Sequence, residues 1–308
     1  MLRKKIRDAW NILKETIRQL GEHDLFRMAG ATAFFTTFAL PPILMIIVRT
    51  LGLFIDRRTV GRQMGKQLRE ILGSESMDSI LQAIRSFRAL QHGYLFTAGV
   101  FLFLLFVATT LFKVIRNSVN EIWGIRSTPH GNLIVMLKSR AVSVAVILFG
   151  GILFLAVQFI DAGQHIFGRY LVHNLPDTTL YLGALLKVVL AVLISTAWFY
   201  VLFAFLPDGR PSRKIALGGA VITAILFNLG KWILTILLPP GQVNSFYGAS
   251  GAMVLVLLFM FYSSIILYFG AALIRSACDA YGSPVMPKAA GSIRHSDQGK
   301  QKMPDHLV

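Results

Sequence analysis

Six apolar blocks divide the chain, at Ala29 to Ile55, Tyr94 to Ile115, Ala141 to Ala162, Tyr181 to Leu206, Ile215 to Leu238 and Gly251 to Ile274. At 1.5 Å rise per residue, each is long enough as a helix to cross a hydrocarbon core of about 30 Å with some tilt. The pattern predicts an all-α, polytopic membrane protein whose membrane domain, residues 29–275, is a bundle of six transmembrane helices. Ahead of it, in the arm 1–28, Ile6, Trp10, Leu13, Ile17 and Leu20 share one helical face and Arg3, Lys4, Arg7, Lys14 and Arg18 fill the remainder. Such a basic amphipathic helix suits both the headgroup plane and a seat on the ends of the bundle. Between the first two blocks, Val60, Met64, Leu68, Ile71 and Leu72, then Met77, Ile80, Leu81, Ile84 and Phe87, keep helical spacing on either side of Gly73-Ser74. A glycine that stops one helix and a serine that caps the next predict an extracytoplasmic helical hairpin on the outer surface. In the tail, 276–308, the residues from Ser283 onward lack apolar period and are rich in Pro, Gly, Ser and Lys, so mostly disorder is expected.

Composition supports the membrane reading. Of 308 residues, 55% are hydrophobic and 15% charged, and the mean hydropathy is +0.61, well above the usual apolar share of soluble domains. Apart from Arg49, Lys187 and Lys231, the Lys and Arg residues divide twenty against eight between the two sides, with Lys113 at the end of the second block counted among the twenty. Basic loops stay in the cytoplasm, so both termini are expected there, in a multi-pass protein of the bacterial inner membrane. This bias absorbs most of the net charge of +16. What remains suits anionic lipid headgroups as partners and gives no reason to expect specific nucleic-acid binding. No secretory signal peptide is expected, because the first block starts late and is full length. The single cysteine, Cys278, leaves no internal disulfide.

Catalytic patterns are absent. The seven histidines are scattered, with no pair at metal-ligand spacing, so neither metal nor cofactor is expected. Gly61 to Lys66 is one residue short of a P-loop and lacks its Ser or Thr. Gly248 to Gly251 approaches a nucleophile elbow but reads better as a helix-start turn. Polar groups inside the blocks are more informative. A charge at the centre of a span costs about 2.5 to 3.5 kcal/mol on insertion scales, yet Arg49, Lys187 and Lys231 all fall in the outer half. Asn228 shares a helix face with Lys231, and Gln158 and Asp161 lie near the outer end of the third block. These six are candidates for an outward-facing polar cavity that accepts an anionic group; the alternative is that each long cation snorkels separately to the interface. Pro41-Pro42 removes two donors within the first block and predicts a kink or break, with Thr36 and Thr37 available to nearby carbonyls. Ala29, Gly30, Ala33, Gly248, Gly251 and Ala252 read as close helix-packing positions.

Three segments, Arg27 to Pro42 (RMAGATAFFTTFALPP), Gly218 to Trp232 (GGAVITAILFNLGKW) and Asn244 to Ala271 (NSFYGASGAMVLVLLFMFYSSIILYFGA), in this order resemble the YihY/BrkB family of bacterial inner-membrane proteins, also labelled ribonuclease BN. The resemblance spans roughly Ala9 to Ala280. Family members commonly continue the last segment as Gly-Ala-Glu, where this chain has Gly270-Ala271-Ala272. The resemblance implies a six-helix inner-membrane protein and supplies no reaction. RNA hydrolysis needs a metal cluster or an acid/base pair, and the sequence offers neither, so no enzyme is expected. The leading expectation is transport or translocation of an anionic or amphipathic envelope component; the alternative is a non-catalytic envelope scaffold.

Overall fold

The computed structural model describes residues 2–51, 94–126, 141–153, 178–237 and 251–287, isolated positions within 61–85, position 156 and the pair 293–294. Helix α1 (Leu2–Glu22) is joined by a two-residue turn to α2 (Leu25–Leu51), and α3 (Tyr94–Ile122) leads into the short strand β1 (Ile125–Arg126). There follow α4 (Ala141–Leu153), α5 (Thr178–Phe205), β2 (Gly209–Arg210), α6 (Arg213–Leu237), α7 (Gly251–Ala280), β3 (Met286–Pro287) and β4 (Ile293–Arg294). A helix thus occurs at each of the six apolar blocks. Among the described residues, α5, α6 and α7 contain stretches long and apolar enough to cross a membrane, with mean hydropathies of 2.4, 1.6 and 2.2.

Helix α7 is the centre of the bundle. It packs on α2, α6 and α1, with α5 against α6 and α3 against α2. Glycines set the close approaches. A Cβ at Gly219 would strike Ile274, one at Gly230 would strike the Tyr262 ring, and one at Gly270 would strike Thr223 Oγ1 and Phe203. Tyr262 uses the space at Gly230 to donate to the Leu226 carbonyl at 2.8 Å. Close backbone contact is the main source of helix attraction in lipid, where burial of apolar groups gains little over hydrocarbon. The outward faces of α5 and α6 carry exposed Leu185, Val188, Leu193, Leu217, Ile225, Trp232 and Ile236. Faces of this kind suit contact with lipid.

Several expected boundaries move. The second apolar block predicts a helix ending near Ile115, but α3 continues to Ile122, so Lys113 and Arg116 are helical. The reason is an apolar stripe that outlasts the apolar block: Ile115, Val119 and Ile122 are all buried while Lys113 and Glu121 face out. Helix α7 likewise runs six residues past the expected Ile274, to Ala280. The tail begins ordered, contrary to expectation: Val285 is only 2% exposed in the core, and β3 pairs antiparallel with β2, while β4 pairs with β1. The described positions of 61–85 are helical, and Arg69 pairs with Asp78 at 3.3 Å. Most of the expected hairpin lies outside the described residues; of the described positions, Met77 is buried and Ile80 packs with Leu40 of α2 and Val256 of α7. Helix α2 passes through Pro41-Pro42 without a break. Thr36 and Thr37 donate to the carbonyls of Thr32 and Ala33 at 2.6 and 2.8 Å, one turn before the carbonyls that the prolines leave without donors. Ala29 and Ala33 are buried as expected, Gly30 faces Phe261, and Gly248 lies outside the described residues.

Replacing Gly270 by Ala is expected to force α7 away from α5 and α6 at a cost of about 1 to 3 kcal/mol, as overpacking does elsewhere. Thermal unfolding of the purified protein in detergent measures it.

Candidate functional site

A partly open cavity of about 500 Å³ lies between the helices, with walls from α2, α3, α4, α5, α6 and α7. Helix α2 contributes Thr32, Thr36, Leu40, Ile43 and Ile47, and α7 contributes Phe259, Met260, Ser263, Ser264 and Leu267. Leu111, Phe112 and Ile115 of α3, Ile147 and Gly150 of α4, Ile194, Ser195 and Trp198 of α5 and Phe227 of α6 complete most of the wall. The volume is within the usual range for small-ligand sites, about 300 to 1,000 Å³. Its lining is almost wholly apolar.

The hydroxyls at its edge are largely committed to the protein. Thr36 donates to Thr32 O, Ser263 to Phe259 O and Ser264 to Met260 O, both at 2.7 Å, and Thr32 Oγ1 lies 2.5 Å from Tyr268 Oη. Thr36, Ser263 and Ser264 thus turn their hydrogens to their own helices. An anion needs donors or positive charge, and the described lining includes no cation. A hydrocarbon chain needs neither.

None of the six residues expected to line a polar cavity is in the described lining of this one. Asn228 does not line it but supports it from behind, donating to Ser195 Oγ at 3.0 Å and to Ala224 O at 2.9 Å. Its amide hydrogens tie α5 to α6. That bond also sets the register of the two antiparallel helices and places Lys231 level with Val192. Lys187 then lies about 7.5 Å farther along α5, at 1.5 Å per residue. Lys231 is half-buried and off the cavity wall. Arg49 and Lys187 belong to helical backbone, but their side chains, with all of Gln158 and Asp161, lie outside the described residues.

Sequence reading missed a second polar centre, at the end of the bundle where α1 sits. Arg116 Nε donates to Asp208 Oδ2 at 3.0 Å, and its second nitrogen also meets that carboxylate. Asn120 Nδ2 donates to Asp208 Oδ2 at 2.7 Å, while its Oδ1 accepts from the Asp208 backbone N–H at 2.8 Å. Trp123 Nε1 donates to Ala271 O of α7 at 2.9 Å, Arg275 of α7 donates to Ile122 O, and Arg27 of α2 reaches Glu121 at 3.2 Å. Gly124, at φ +68°, lets the chain turn beneath the Arg275 guanidinium. A Cβ at Gly209 would enter the space of Trp123, Ile125 and Val285. The last two turns of α3, with Trp123 just beyond them, thus join α2, α7 and the α5–α6 connection. The available signal was polar spacing: Arg116, Asn120 and Trp123 recur at helical intervals beyond the end of the apolar block.

His23, in the turn between α1 and α2, has a pKa held below the usual histidine value, first by burial and then by the Arg275 cation, against the raising effect of Glu121 and Glu22. Glu15 on α1 is lowered, chiefly by its hydrogen bond from Arg18.

The fold is that of a mostly helical membrane protein with an apolar cavity between its helices. The sequence profile of the family described as "Virulence factor BrkB" matches residues 16–289, and the chain belongs to that family. It is similar to a UPF0761 membrane protein of Alcanivorax borkumensis, with 26% identity covering 84% of this chain and 58% of the relative. A UPF0761 membrane protein of Pseudomonas aeruginosa is 27% identical, covering 80% and 57%, and one of Teredinibacter turnerae is 25% identical, covering 88% and 61%. The chain spans under two thirds of the length of these relatives. No solved structure matches. The protein is an integral membrane protein of the BrkB/UPF0761 family.

Two outcomes are expected at the polar centre. Asp208→Asn takes the counter-charge from Arg116, whose side chain is 22% exposed, and should lower stability by about 1 to 2 kcal/mol, toward the low end for hydrogen bonds to charged groups; thermal unfolding in detergent reads it. A histidine with a depressed folded-state pKa binds its proton more readily when unfolded, so its stabilising contribution is complete above about pH 6.5 and is lost as pH falls through the folded value. Unfolding temperatures measured from pH 8 down to 5 should decline, less steeply in His23→Gln.

Proposed function

We propose that all six apolar helices cross the bacterial inner membrane, with both termini cytoplasmic, and that the bundle translocates an amphipathic envelope lipid without covalent chemistry. The carrying observation is the 500 Å³ apolar cavity walled by all six helices at mid-bundle. A cavity in a membrane domain is in contact with a solvent of hydrocarbon chains, and its lining matches one such chain in polarity. The anionic headgroup of the substrate stays outside it, toward the end of the bundle where Arg49, Lys187 and Lys231 occur along their helices. This reading replaces a cationic pocket for the whole ligand by two divided roles, a chain inside and a headgroup at the rim. Ile80 packs against Leu40, one of the residues of the cavity wall.

The test is reconstitution into liposomes with a fluorescent phospholipid and a dithionite-accessibility assay. Wild-type protein is expected to expose inner-leaflet lipid several-fold faster than empty liposomes, and Ile194→Trp, which fills the cavity, to fall to the empty-liposome rate while still folding. Equal rates for wild type and empty liposomes, with phosphatidylglycerol and phosphatidylethanolamine probes alike, would favour the scaffold instead.

A further inference from the structure

Helix α1 divides its surface into three strips. Thr16 and Gln19 are buried against the bundle, with Leu20 packed on the core. Trp10 and Ile17, one beside the other at a spacing of seven, are 66% and 60% exposed. Next around the helix come Arg7, Lys14 and Arg18, also exposed. An apolar strip bordered on one side by the protein and on the other by cations is the arrangement of a helix lying in a membrane interface.

The seam with the bundle is imperfect. Gln19 Oε1 and Ser276 Oγ are both buried without a hydrogen-bond partner among the described residues, and a buried polar group left so carries a desolvation penalty. A helix held by that seam alone gains from a second attachment. The bundle itself supplies its position: α1 joins α2 through two residues, and α2 enters the apolar region within its first turns, so α1 lies where the membrane surface must be.

We propose that α1 is an anionic-lipid binding element, inserting Trp10 and Ile17 among the headgroups of the adjacent leaflet while Arg7 and Lys14 contact phosphate-bearing, negatively charged lipid. A partner protein would place the same strip in a dry interface, with no dependence on lipid charge. The cations beside Trp10 and Ile17 and the continuity with the membrane-spanning bundle favour the lipid.

Full-length protein reconstituted in phosphatidylcholine vesicles, with or without one quarter phosphatidylglycerol, provides the test. Amide exchange of α1 is expected to be slower in the anionic vesicles by about fivefold for each of the two cations. The Arg7→Gln/Lys14→Gln variant, which touches only exposed side chains, should lose that difference. Phospholipids brominated near the carbonyl should quench wild-type protein more than Trp10→Phe. The proposal is overturned if α1 exchanges at one rate in both vesicles, or if Trp10→Phe leaves the quenching unchanged.

Discussion

The bundle depends on what its backbone does at one end. Within hydrocarbon every peptide group must find its partner inside the protein; a helix meets that need within its own segment, which gives neighbouring helices few polar handles for one another. The handles here are collected in the last turns of α3, where Arg116, Asn120 and Trp123 reach the α5–α6 connection and α7, and where Arg275 returns from α7 to the Ile122 carbonyl. This end fixes the directions of the helices. The N-termini of α2 and α6 meet the C-termini of α3, α5 and α7 there, giving an alternating bundle. Farther along, contact is made by glycines and alanines, and where the side chains cease to fill the space between helices the cavity opens.

The division of labour has a physical logic. A cavity in a packed interior costs the dispersion contacts its walls fail to make, unless something occupies it. Polar ties at one end and the Asn228–Ser195 bond behind α5 hold the walls apart without placing a charge among them. The hydroxyls of Thr36, Ser263 and Ser264 turn their hydrogens to their own helices, so the walls remain suited to hydrocarbon even where the side chains are nominally polar.

The sequence made much of this legible. Blocks of twenty apolar residues locate α2 to α7 because the hydrocarbon constraint acts on each segment alone. The amphipathic period of α1 was equally plain, since one helix carries all of that information. What escaped was pairwise. Asp208 reads as an ordinary turn residue until α3 brings Arg116 and Asn120 to it, ninety positions away in the chain, and the tail from Ser283 reads as disordered until Val285 is seen under Gly209. Asn228 stands out in the sequence as a polar residue within an apolar block, on one face with Lys231; in the structure it ties α5 to α6. The apolar cavity had no sequence signature at all, because its lining residues are the ones any buried helix face would carry.

The central claim, that the cavity holds a lipid chain, is most directly tested at Trp198, whose ring forms part of its wall beside Gly150. Protein reconstituted with increasing fractions of phospholipid brominated midway along the acyl chain should show quenching with a saturable component. That component should disappear in Trp198→Phe and in the cavity-filling Ile194→Trp variant. Quenching that rises in simple proportion to bromolipid, and equally in Trp198→Phe, would contradict the account.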